Sequence, residues 1–131
     1  MVLEANAPLE HFTVREISQP SGSYSHGVVA HGFLFTCGVG PLDPLTGLIV
    51  GEEITAQTRQ VFENLSQILK AKNVDFSRVV KLTAYLQNLT EDFTAYDSVC
   101  REFLLTPYPA RTTTGASLPN ILVEIDCIVA L

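Results

Sequence analysis

Apolar residues recur along this chain with two different periods. Ile54, Val61, Leu65, Ile68 and Leu69 fall on one stripe at helical spacing. Glu52 and Glu53 lie ahead of that stripe, and Lys70 and Lys72 lie near its end, placements that suit the two poles of a helix dipole. Asn73 follows where a left-handed cap residue is wanted. Phe93, Tyr96, Cys100, Phe103 and Leu104 make a second stripe. Thr90 reads as its N-cap, Glu91 and Asp92 as its first turn, and Pro107 and Pro109 as its end.

Elsewhere the period is two. Residues 11–17 alternate weakly, residues 79–87 alternate and are rich in strand formers, 111–116 are threonine-rich, and 121–131 close the chain. Residues 28–30 and 33–37 flank His31-Gly32, a turn pair, and predict a hairpin. Residues 38–47 are dense in glycine and proline and predict a loop. The order is therefore β-β-β-α-β-α-β-β: an α/β (α+β) chain with a six-stranded sheet. Two amphipathic helices cover only one face of such a sheet. The last strand shows both faces: Val123, Ile125, Cys127, Val129 and Leu131 point towards the helices, and Leu122, Glu124, Asp126 and Ile128 point away. The mixed character of that second set fits a subunit interface better than open solvent.

The 131 residues suit one domain, 1–131, with no internal repeat. The net charge of −6 and the lack of a basic stripe speak against nucleic-acid binding, which needs cations to neutralise phosphates. Three widely spaced cysteines, Cys37, Cys100 and Cys127, form no disulfide framework, so a reducing compartment is expected. Residues 1–10 hold no apolar signal core, and no run is long enough to span a bilayer. The expectation is a cytoplasmic protein without a membrane partner.

Two residues carry the chemistry. Arg111 stands after the turn Pro107-Tyr108-Pro109, among Thr112, Thr113 and Thr114. A guanidinium among short hydroxyls is a receptor for a planar carboxylate, since it binds both oxygens at once. Glu124 sits between Val123 and Ile125, where partial burial raises a carboxyl pKa and suits proton transfer. Each has a bland alternative: a surface arginine paired with a nearby acid, a solvated or salt-bridged glutamate, or the two as a cross-strand ion pair. Cys37 is a nucleophile only if its pKa is lowered, and no base adjoins it, which favours a small, partly buried side chain. Gly38-Val39-Gly40 lacks the spacing of a phosphate loop. His11, His26 and His31 show no metal-ligand spacing.

Several runs together form a known pattern: Gly22 to His26; Phe35 to Gly38 followed by Pro41-Leu-Asp-Pro44 and Thr46-Gly47; Gln57 to Gln60 with Glu63-Asn-Leu65; Val79-Val-Lys81; Asp92-Phe93; Pro109-Ala-Arg111; Leu118-Pro119; and Val123-Glu-Ile-Asp126. The chain closely resembles the Rid family (YjgF-like proteins), best known for reactive-intermediate deaminases, over nearly its whole length beyond the first ten residues. The resemblance implies a chorismate-mutase-like (YjgF-like) fold with a mainly antiparallel sheet and two helices on one face. It implies a homotrimer with three clefts between neighbouring subunits. It implies hydrolysis of enamines or imines such as 2-aminoacrylate to a 2-keto acid and ammonia, a 2-iminobutanoate/2-iminopropanoate deaminase type of reaction needing no cofactor and no metal.

Carried over by position, Arg111 corresponds to the arginine that grips the substrate carboxylate, and Glu124 to the glutamate that positions water and relays a proton. Tyr24, Cys37, Gly38 and Thr113 correspond to cleft-lining positions, with Tyr24 from a neighbouring subunit. The chain departs from the pattern at the rim: Cys37 replaces a serine, Val39 a glutamine and Gly40 a β-branched residue, while Ser23 stands where proline is common and Thr113 where cysteine is frequent. The stretches from Arg111 to Pro119 and from Pro119 to Glu124 are each one residue short. Those departures keep a second reading open, a non-catalytic binder of small carboxylates or regulator; a third, ribonuclease, is sometimes attached to the family, and the acidic balance argues against it.

Overall fold

The computed structural model describes residues 7–131, so the reading of residues 1–10 falls in part outside the described range. Six strands, β1 (Glu10–Phe12), β2 (Gly27–Ala30), β3 (Phe33–Thr36), β4 (Val79–Leu86), β5 (Ala110–Gly115) and β6 (Val123–Ala130), form one sheet in the spatial order β1-β2-β3-β6-β4-β5. Only β4 and β5 run parallel; all other neighbours are antiparallel. The helices α1 (Ile54–Lys70) and α2 (Leu89–Phe103) stand in the expected places in the element order.

The helix stripes drive the layering. Val61, Leu65, Ile68 and Leu69 of α1 and Tyr96 and Cys100 of α2 are buried with Leu34, Leu82, Ala84 and Leu86 and with Val123, Ile125, Cys127 and Val129 of β6. Burial along β6 alternates at every residue, so one face meets both helices and the other does not. Leu131 lies beyond the strand and is exposed, unlike its expected core placement. Helix α1 closes as predicted: Asn73 has φ 59°, its N–H donates to the Lys70 carbonyl, and the Val74 N–H donates to the Leu69 carbonyl. Helix α2 starts two residues earlier than expected, with Asn88 rather than Thr90 as N-cap, while Glu91 and Asp92 occupy its first turn.

Strand β1 is shorter than the alternation over 11–17 predicts. Side chains take the backbone groups a partner strand would use: the Val14 N–H donates to Nδ1 of His26, and the Val14 and Ile17 carbonyls accept from Nε2 of Gln19. The hairpin β2–β3 turns at His31 and Gly32, both at positive φ (49° and 80°), the geometry whose twist matches paired strands.

Past Phe35 the third strand bulges. Phe35 faces Ile128, and the isolated bridge further on pairs Val39 with Ile125, so this side carries one residue more than β6. Around the bulge the Cys37 N–H donates to the His26 carbonyl, and the Thr36 hydroxyl accepts from the Cys127 N–H. The bulge re-aims residues 37–40 at the end of the sheet.

Candidate functional site

The resemblance singles out six residues, and one chain divides them between two places. Glu124 pairs in register with Tyr85, on the helix-free face. Arg111 pairs with Leu82, which is fully buried on the helix face, so Arg111 and Thr113 rise on that side. Strand β4 stands between β5 and β6. A cross-strand ion pair of Arg111 with Glu124 is therefore excluded within one chain, and so is a shared hollow built from a single copy.

The first place gathers Tyr24, Cys37, Gly38 and Glu124. His26, buried, holds it together: Nδ1 accepts from Val14 and Nε2 lies 3.0 Å from the Ser18 carbonyl, which fixes the proton on Nε2. Its own carbonyl then anchors Cys37. Tyr24, Cys37 and Gly38 border a hollow of about 80 Å³ with Ser18 and His26. At the ~30 Å³ of a liquid water, that holds only a few solvent molecules. Gly38 also borders Glu124: a Cβ at this glycine would lie 2.8 Å from Oε2, so a bare backbone is what lets the carboxylate approach. Burial, and then the neighbouring Asp126 carboxylate, push the Glu124 pKa above the usual glutamate range. Burial first and Glu124 second raise the Cys37 thiol to about 11, so it rests as a thiol and not as a nucleophile.

The second place is built on β5 and α2. Nη1 of Arg111 donates to Oδ1 of Asp97 at 2.6 Å, and the other oxygen of Asp97 lies 3.1 Å from Arg101. The guanidinium carbon stands 5.6 Å and 5.4 Å from the ring centroids of Phe93 and Tyr96, within cation–π range. The Tyr96 hydroxyl shares a hydrogen bond with Thr113 at 2.9 Å. The bond from Arg111 holds the Asp97 carboxyl below the usual range, ionised at neutral pH. A hollow of about 380 Å³ adjoins the arginine, lined by Asp97, Cys100, Arg101, Leu104, Tyr108 and Pro109.

Asp97 thus matters at the site and had no sequence signal beyond its i,i+4 spacing to Arg101. Gln57 and Asn64 also escaped notice as site supports, although both interrupt the apolar stripe of α1 from buried positions. Gln57 accepts from the Leu122 N–H at 2.8 Å and donates to the Gly51 carbonyl, and Asn64 donates to the carbonyls of Gly40 and Leu42. These amides tie the 38–51 loop and the approach to β6 to one helix.

Among the described residues no helix is long and apolar enough to cross a membrane, and no three His, Cys, Asp or Glu side chains converge as a metal site. The family model described as Endoribonuclease L-PSP matches residues 15–131. The putative regulator AldR of Lactococcus lactis is 43% identical over 109 residues, covering 82% of this chain and 86% of that protein. The chloroplastic Reactive Intermediate Deaminase A of Arabidopsis thaliana is 41% identical over 112 residues, 84% of this chain and 59% of the plant protein. Among solved structures, E. coli TdcF with bound serine superposes with a TM-score of 0.85 at 26% identity, over 93% of this chain and 98% of that one.

Proposed function

This chain belongs to the family of Endoribonuclease L-PSP, the YjgF/Rid family, and from that premise we propose that it is a deaminase of reactive 2-imino acids. The observation that carries the reading is the division of the site. Arg111 and Glu124 rise from opposite faces of one sheet, and the helix-free face exposes Phe33 and Phe35, each about 40% open. Apolar rings on an uncovered face suit burial against a second copy. In a homotrimer, each cleft then takes Arg111 and Thr113 from one subunit and Tyr24, Cys37, Gly38 and Glu124 from its neighbour.

The chemistry follows from those groups. Asp97 takes Nη1 of the Arg111 guanidinium, and its remaining N–H groups are donors for a substrate carboxylate. A charged hydrogen bond of this kind contributes about 1.5–3 kcal/mol. Glu124, ionised, takes a proton from water as the oxygen adds to the imine carbon and passes it to nitrogen, giving the carbinolamine; it then takes the hydroxyl proton and hands it to the same nitrogen as the C–N bond breaks, so the 2-keto acid forms and ammonia leaves. Positioned acid–base transfer contributes roughly a hundred- to ten-thousand-fold. The name of the Arabidopsis relative and the serine bound by TdcF support a small amino- or imino-acid ligand. The test is release of ammonia and 2-keto acid from freshly generated 2-aminoacrylate. Wild type should outpace Arg111→Ala and Glu124→Gln by at least a hundredfold; equal rates reject the reading.

A second reading is a regulator that binds small carboxylates without turnover. The altered rim Cys37-Gly38-Val39-Gly40 and the name of the Lactococcus relative favour it. Calorimetric binding of 2-ketobutyrate with no deamination supports this reading, and turnover rejects it. Ribonuclease activity, which the family's description names, suits a net charge of −6 poorly.

A further inference from the structure

The hollow beside Arg111 is larger than a three- or four-carbon acid requires, and its walls differ in kind. One wall is cationic. Arg101 and Arg111 share the single carboxylate of Asp97, which leaves one positive charge in a chain whose overall balance is −6. Asp97 occupies Nη1 of Arg111, and the guanidinium also borders the hollow beside Cys100. The same hollow is also lined by apolar groups: Leu104, Pro109 and the exposed ring of Tyr108, with the Cys100 thiol beside them. At about 380 Å³ the space falls within the size range of small-molecule pockets, which pair an apolar lining with a few placed polar groups.

We propose that this hollow, between the end of α2 and the start of β5, receives the side chain of the substrate, and that it selects 2-imino acids with a branched aliphatic or aromatic body over the smallest ones. The proposal rests on the reading of Arg111 as carboxylate anchor. With the carboxylate on Arg111, which lines the same hollow, an apolar body reaches Leu104 and Tyr108 without leaving the same chain. Arg101 adds a second cation at the mouth, which raises affinity for any monocarboxylate and disfavours amines. Each methylene buried there should tighten binding about fourfold.

The stable 2-keto acids serve as probes. Calorimetry on the full chain should show affinity rising at least tenfold from pyruvate through 4-methyl-2-oxopentanoate to phenylpyruvate. Tyr108→Ala, at an exposed position that tolerates truncation, should shrink the ratio between phenylpyruvate and pyruvate at least threefold. Arg101→Gln should weaken all the acids together and leave that ratio in place. If pyruvate and phenylpyruvate bind equally well and both are lost in Arg111→Ala, the side-chain pocket is wrong and the anchor stands. If no acid binds, or binding persists in Arg111→Ala, the anchor falls and this inference with it.

Discussion

A carboxylate and a thiol sit side by side at the bulge, and their protonation decides what the rim offers a ligand. Because burial raises the Glu124 pKa, the folded chain holds that proton more tightly than the unfolded chain does. Stability from this group is therefore present at low pH and is lost as pH rises through the folded pKa. Glu124→Gln removes the penalty, so its thermal midpoint at neutral pH should exceed that of wild type, and the difference should shrink as pH falls. Activity should behave oppositely. The base proposed above must be ionised, so kcat/KM should drop on the acid side with a midpoint above the usual glutamate range, a limb absent from the residual rate of Glu124→Gln. Gly38→Ala places a methyl 2.8 Å from the same carboxylate. Turnover should fall by at least tenfold while far-UV circular dichroism stays as in wild type. The facing of Glu124 was legible from the strict alternation of residues 123–129. The partner of Arg111 was not, because Asp97 meets it only once α2 has docked on β5, and no local spacing encodes that docking.

Between elements, the design is one of side chains replacing ladder bonds. Thr36 accepts from Cys127 where β3 bows away from β6, and Gln57 accepts from Leu122 where the chain enters β6. Each leaves a part-buried N–H unpaired if its oxygen is removed, at up to about 1–3 kcal/mol. Thr36→Val, nearly the same shape, should lower the unfolding free energy in urea by about that amount. Gln57→Leu, which unpairs the Leu122 N–H and also loses the bond to the exposed Gly51 carbonyl, should lower it by a similar amount. Helix stripes, the His31-Gly32 hairpin and the left-handed Asn73 could all be read from sequence, because period and turn chemistry are local. The early end of β1 and the bulge could not, because both depend on which distant side chain reaches the backbone: His26 and Gln19 for residues 14–17, and Thr36 for Cys127.

At the scale of the molecule, the helix-covered face is a closed core and the other face is unfinished. On the proposed arrangement, subunits carrying Arg111→Ala and subunits carrying Glu124→Gln are each inactive alone, yet refolded together they should regain up to about a quarter of the wild-type sites by random assortment in a cyclic trimer. No recovery would place both groups in one chain's site and contradict the division drawn here. The opposed directions of the arginine and the glutamate have one more consequence. In the proposed trimer they give every subunit a front and a back, so a pair of subunits joined once has one finished cleft and two idle ends, and only a closed ring leaves none. Specific activity should therefore climb with protein concentration until the ring closes. Dilution should silence the proposed activity while each chain is still fully folded.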